Sequence, residues 1–118
     1  MIVHGVDGCP SGYAVVPLGD GPPRASMIPA IAPLFARGET VAIDIPIGLP
    51  ASIEGPGRPP EQAIRPLLGP RRGSVFSIPC RDAVFAATYA DACALARAAS
   101  TPPKAVSIQA FNIFPKIC

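Results

Sequence analysis

The sequence reads as an α/β domain, and three observations predict that class. Two apolar runs, Ile2–Val6 and Tyr13–Leu18, bracket a stretch dense in turn residues, "DGCPSG" (Asp7–Gly12), which is the pattern of a strand hairpin. A later β-branched run, Val41–Ile45, carries a single acid, Asp44. An Ala-rich segment, Asp82–Ala99, has the composition of a helix. The 118 residues suffice for one small domain, and 49% hydrophobic residues with only 15% charged ones are too apolar for a disordered chain.

The elements follow in order. After the first two strands, "GDGPP" (Gly19–Pro23) makes another turn. Ala25–Ile31 is a third strand, placed at an edge because Pro29 cannot donate to a ladder. Ala32–Arg37 is a short helix ended by Gly38, and Val41–Ile45 is the next strand. A loop, Gly48–Pro60, leads to a helix over about Glu61–Leu68. Pro59 and Pro60 open it, Gly69 closes it, and Pro66 kinks it by removing the bond to the Gln62 carbonyl. Asp82–Ala99 is the longer helix, broken by "STPP" (Ser100–Pro103), and no internal repeat is visible. The final stretch, "SIQAFNIFPKIC", still brings apolar residues where a chain end usually turns polar. The expectation is the N-terminal portion of a longer domain, with an incomplete core that a second copy or a partner chain would complete.

Charge and cysteine usage narrow the function classes. A formal net charge of +2 does not by itself imply a nucleic-acid partner. The arginines are clustered, however: Arg58, Arg65, Arg71, Arg72 and Arg81 fall in one region, either a solvated basic face or a phosphate-facing patch. Cys9, Cys80, Cys93 and Cys118 form no C-x-x-C pair, and His4 is the only histidine, which argues against a zinc site. No secretory signal opens the chain, and Asp91 and Arg97 interrupt its most apolar helical window, Ala83–Ser100. A cytoplasmic protein with reduced thiols and no membrane span is expected.

Strand alternation sorts the candidate chemistry. Val3, Gly5 and Asp7 share one face of the first strand, and Ala42 and Asp44 share a face of the later one. Both acids stand near C-terminal strand ends beside small residues. If the two strands are neighbours, the carboxylates converge and suit a hard divalent cation such as Mg²⁺. Read alone, Asp7 before Gly8 also fits a simple turn, and Asp44 also fits an acceptor for amides of the Pro-Gly turn that follows it. His4 faces away from Asp7, which disfavours a Cys9–His4 nucleophile pair. In "RPPEQAIR", Arg58, Glu61 and Arg65 align on one helical face, either as a surface ion-pair ladder or as a phosphate clamp with Glu61 turned to a metal. "RRGSVFSIP" (Arg71–Pro79) adds loop amides and the Ser74 hydroxyl.

Together, "GVDGCPSGYAVV", "AIDIPIGLP", the Arg58–Pro79 segment and "SIQAFNIFPKI" resemble the DUF429 family of predicted ribonuclease H-like nucleases, in order and over essentially the whole chain. The resemblance implies a ribonuclease H-like mixed sheet with flanking helices, with acids on its first and fourth strands. Asp7 and Asp44 match those positions as catalytic and metal-binding residues for Mg²⁺ or Mn²⁺. Glu61 stands where the family usually has aspartate, as a third catalytic acid. Arg58, Arg65, Ser74 and Lys116 match as substrate-binding positions, and the partner implied is nucleic acid. Pro66 departs from the pattern. The family also continues beyond "FPKI" with an acidic segment and a His-Pro-Glu-like motif, so the resemblance implies a truncated chain whose activity alone is in question. Two rival readings stand beside the nuclease. One is an actin- or sugar-kinase-like phosphate or nucleotide binder, since "DGCPSG" loosely resembles the phosphate-binding turn of those folds. The other is a non-catalytic binding or remnant protein.

Overall fold

Alternation of apolar residues organises the N-terminal part of the chain. In the computed structural model, which describes residues 1–118, strands β1 (Val3–Cys9) and β2 (Gly12–Leu18) form an antiparallel hairpin. Its register sets Val6 opposite Val15 and Asp7 opposite Ala14. A third strand, β3 (Ser26–Ile28), adds antiparallel to β2 at the edge, stopping just before Pro29. Helix α1 (Ala32–Ala36) then returns the chain to β4 (Thr40–Ile43), which pairs parallel to β1. The sheet order is β3-β2-β1-β4.

One face of this sheet makes the core. Val6, Tyr13, Val15 and Leu34 are buried together, with Ile28, Ile31, Val41 and Ile43 packed against them. Burying such side chains is worth about 1.5 to 3 kcal/mol each, which makes this face the main stabilising element of the first unit, Met1–Ile45.

The hairpin is tighter than "DGCPSG" suggests. Asp7, Gly8 and Cys9 continue β1, and only Pro10 and Ser11 form the connection. Gly12 makes this possible. Its φ is 138°, and a Cβ there would lie 2.2 Å from the Ile28 carbonyl oxygen of β3. The strand expected over Val41–Ile45 ends at Ile43, because Pro46 and Gly48 lie just beyond and the chain turns, so Asp44 stands one residue past the strand.

The second unit, Pro46–Cys118, is helical around a two-stranded parallel ladder of β5 (Ile53–Glu54) and β6 (Ser100–Thr101). Helix α2 (Pro59–Ile64) starts on the proline pair as expected but ends four residues early. Pro66 supplies no amide, so the chain tightens into 3-10 turns over Arg65–Ser74, interrupted at Gly69 (φ 51°). The single helix expected over Asp82–Ala99 is two: α3 (Arg81–Val84) and α4 (Tyr89–Ala98). Thr88 separates them. Its hydroxyl oxygen accepts from the Asp91 amide at 3.1 Å and its hydroxyl donates to Asp91 Oδ2 at 2.8 Å, so a capped new helix replaces a continuous one. Helix α5 (Ile108–Ile117) is capped in the same way by Ser107. Val84, Ala92, Ala96, Ala110 and Phe114 form the centre of this unit's core. No helix is long and apolar enough to cross a membrane.

Two substitutions test these local arguments. Gly12→Ala lowers unfolding stability by at least about 1 kcal/mol, since a side chain must displace the β3 backbone. Thr88→Ala costs about 1 kcal/mol through the lost cap. Both are read from urea unfolding curves.

Candidate carboxylate site

The parallel register of β1 and β4 decides where the acids go. Gly5 pairs with Ala42 and Val6 with Ile43. Continued by one residue, the same register brings Asp7 alongside Asp44. Neighbouring strands lie about 4.8 Å apart, so the two residues stand close on adjacent strands, Asp7 two residues before the end of β1 and Asp44 just past β4. They line one open hollow of about 610 Å³ with Gly5, Ala14, Val16 and Ala42. Gly5, Ala14 and Ala42 are small, and Val6, Val16 and Ile43 complete the lining. Hydrophobic alternation in β2, which places Ala14 and Val16 on that face, is the signal that completes the list beyond the two acids.

Both acids are exposed. The desolvation penalty that a buried Asp44 would suffer is therefore absent. What remains is mutual repulsion, which for two like charges a few ångströms apart in water is on the order of 1 kcal/mol. A divalent cation between them would turn that cost into attraction. Two carboxylates are hard oxygen donors, so the donor chemistry fits Mg²⁺ or Mn²⁺ and leaves coordination positions for water and phosphate oxygens. No group of three or more His, Cys, Asp and Glu side chains is gathered as a metal site.

His4 is on the opposite face of β1, as alternation requires. Its Nε2 lies 2.5 Å from Glu39 Oε2, in a contact poorly aligned for a hydrogen bond.

The second unit holds Arg58, Glu61 and Arg65. The alignment expected on an exposed helix face is instead buried: Arg58 is 6% and Glu61 5% exposed. Arg58 Nε donates to Glu61 Oε1 at 2.6 Å, Nη2 donates to the same oxygen, and the Arg58 amide donates to Oε2 at 3.2 Å. Arg58 Nη1 donates to the carbonyls of Ile47 and Gly48, each at 3.2 Å. This guanidinium and this carboxylate are thus satisfied by one another and by the loop before β5. Arg65 also turns inward, its Nη2 donating to the Val75 carbonyl at 3.2 Å and to Ser77 Oγ at 2.8 Å. Ser74 is exposed near the end of the 3-10 segment, and Lys116 is half-buried on α5.

The fold and the site define a small mixed α/β protein with a pair of exposed carboxylates lining one hollow beside two parallel strands. The chain belongs to DUF429, a family of proteins of unknown function, which it matches over residues 5–118. No curated protein and no solved structure matches it.

The buried pair yields a stability prediction. Arg58→Ala strands the Glu61 carboxylate and costs about 3 to 5 kcal/mol. The double replacement of Arg58 and Glu61 by apolar residues of similar size costs less than the single one. Denaturant unfolding of the three proteins checks this.

Proposed function

We propose that the protein is a divalent-metal-dependent phosphodiesterase of the nuclease type, with Asp7 and Asp44 as its metal-holding pair. The observation that carries this reading is the β1–β4 register, which brings two exposed acids together beside the small residues Gly5, Ala14 and Ala42. The sheet order β3-β2-β1-β4, with β1 and β4 parallel, is compatible with a ribonuclease H-like arrangement. A bound Mg²⁺ or Mn²⁺ would polarise the phosphate and lower the pKa of a water nucleophile. The strands hold the carboxylates at fixed spacing, and Gly5 and Ala42 leave room for a phosphate above them. Arg58 and Glu61 engage one another and Arg65 donates through Nη2 within the second unit, which makes them part of its scaffold.

The test has two parts. Calorimetric titration with Mn²⁺ shows one saturable site that Asp7→Asn and Asp44→Asn each abolish. Cleavage of labelled DNA and RNA in Mg²⁺ or Mn²⁺ falls at least about a hundredfold in Asp44→Asn. Cleavage that survives this substitution overturns the metal role. A protein that takes up no Mn²⁺ is better described by the non-catalytic reading.

A further inference from the structure

The segment from Gln62 to Arg81 contains four arginines and no aspartate or glutamate, although the chain has 8 acids in all. The structure separates these arginines by role. Arg65 is spent internally, bonded to the Val75 carbonyl and Ser77 Oγ, and so closes the 3-10 segment into a loop. Arg71 and Arg72 are exposed near the end of that loop. Arg81 is also exposed, and its guanidinium lies 4.9 Å from the centre of the Phe85 ring. None of these three forms an ion pair with a side chain. Two phenylalanines are open to solvent, Phe76 within the segment at 38% and Phe85 four residues beyond it at 52% exposed, with the exposed acid Asp82 between Arg81 and Phe85.

Unpaired arginines and exposed aromatic rings on one unit are the two components of sequence-tolerant single-strand binding: cations for phosphates and flat rings for unstacked bases. Six residues, Val75–Cys80, join the loop to the Arg81–Phe85 stack. Arg72 and Arg81 are nine residues apart, at most about 30 Å of extended chain, which a strand of several nucleotides spans. An anionic membrane is a poorer match. Surface insertion needs an amphipathic helix of several turns, whereas α2 has six residues, α3, which carries Arg81, has four, and Arg71 and Arg72 lie on 3-10 turns.

We infer that Arg71, Arg72 and the Arg81–Phe85 stack form a grip for single-stranded nucleic acid, separate from the carboxylate pair. The inference rests on the phosphodiesterase reading for its purpose but not for its test, because binding is measured without metal.

The experiment is fluorescence anisotropy of a fluorescein-labelled single-stranded oligothymidylate in EDTA, across a salt series. Three phosphate contacts give a log–log salt slope of about −2, and the double variant Arg71→Ala/Arg72→Ala reduces that slope by about 1.4. Arg71→Lys/Arg72→Lys restores it. Phe85→Ala weakens binding about tenfold while leaving the slope unchanged, as loss of a stacking platform requires. The far-ultraviolet circular dichroism of these surface variants matches the parent. Asp44→Asn binds the oligonucleotide like the parent, so loss of cleavage and loss of grip are read independently. Absent binding, a slope unaffected by the double alanine variant, or preference for phosphatidylserine vesicles over the oligonucleotide overturns the inference.

Discussion

The parallel pairing of β1 with β4 is the constraint on which the candidate site depends. A sheet with one apolar face and one open face must put every second residue of each strand on the open side. Once Val6 and Ile43 are committed to the core, Gly5, Asp7, Ala42 and Asp44 have no choice of face. The two charges are therefore held together by hydrophobic burial on the other side of the same strands. Repulsion between exposed carboxylates is small beside the burial of even one core side chain, so the fold tolerates the pair without a partner for it.

The second unit follows a different logic. Its buried charges are matched internally. Arg58 takes up both oxygens of Glu61 through side chain and backbone, and its Nη1 donates twice to the loop ahead of β5. A charged pair at this depth survives because nearly every donor and acceptor has a partner. Arg65, partly buried, instead donates to the Val75 carbonyl and the Ser77 hydroxyl at the base of the 3-10 segment. Two arginines thus shape the backbone, and the remaining exposed arginines of the region are left without structural duty.

Much of this was legible in the sequence, and the exceptions have physical causes. Period-two alternation set Asp7 on the face of Gly5 and Asp44 on the face of Ala42, while the β1–β4 pairing that joins the two faces came only from the structure, and the proline pair marked the start of α2. The helical content of Asp82–Ala99 was visible as well, but composition hid its interruption. The available signal was Thr88 followed three residues on by Asp91, a reciprocal cap that outweighs Ala propensity. The spacing of Arg58 and Glu61 showed that they meet. It did not show that they meet in the interior, where Arg58 also reaches the Ile47 and Gly48 carbonyls, eleven and ten residues away. The length of β1 was underestimated because Asp and Gly are turn formers by propensity, and the ladder to β2 overrode them.

The hairpin and the parallel pair also differ in how far along the chain their partners lie. Cys9 meets Gly12 across two residues, whereas Val3 meets Thr40 only after the chain has passed through β2, β3 and α1. Closing the longer loop costs more entropy, so the antiparallel ribbon is kinetically local and the β1–β4 pairing is not. Asp7 is therefore ordered within its ribbon before Asp44 has any reason to approach. The two charges come side by side in the same step that packs Ile43 against Val6, so repulsion and the burial that outweighs it arrive together.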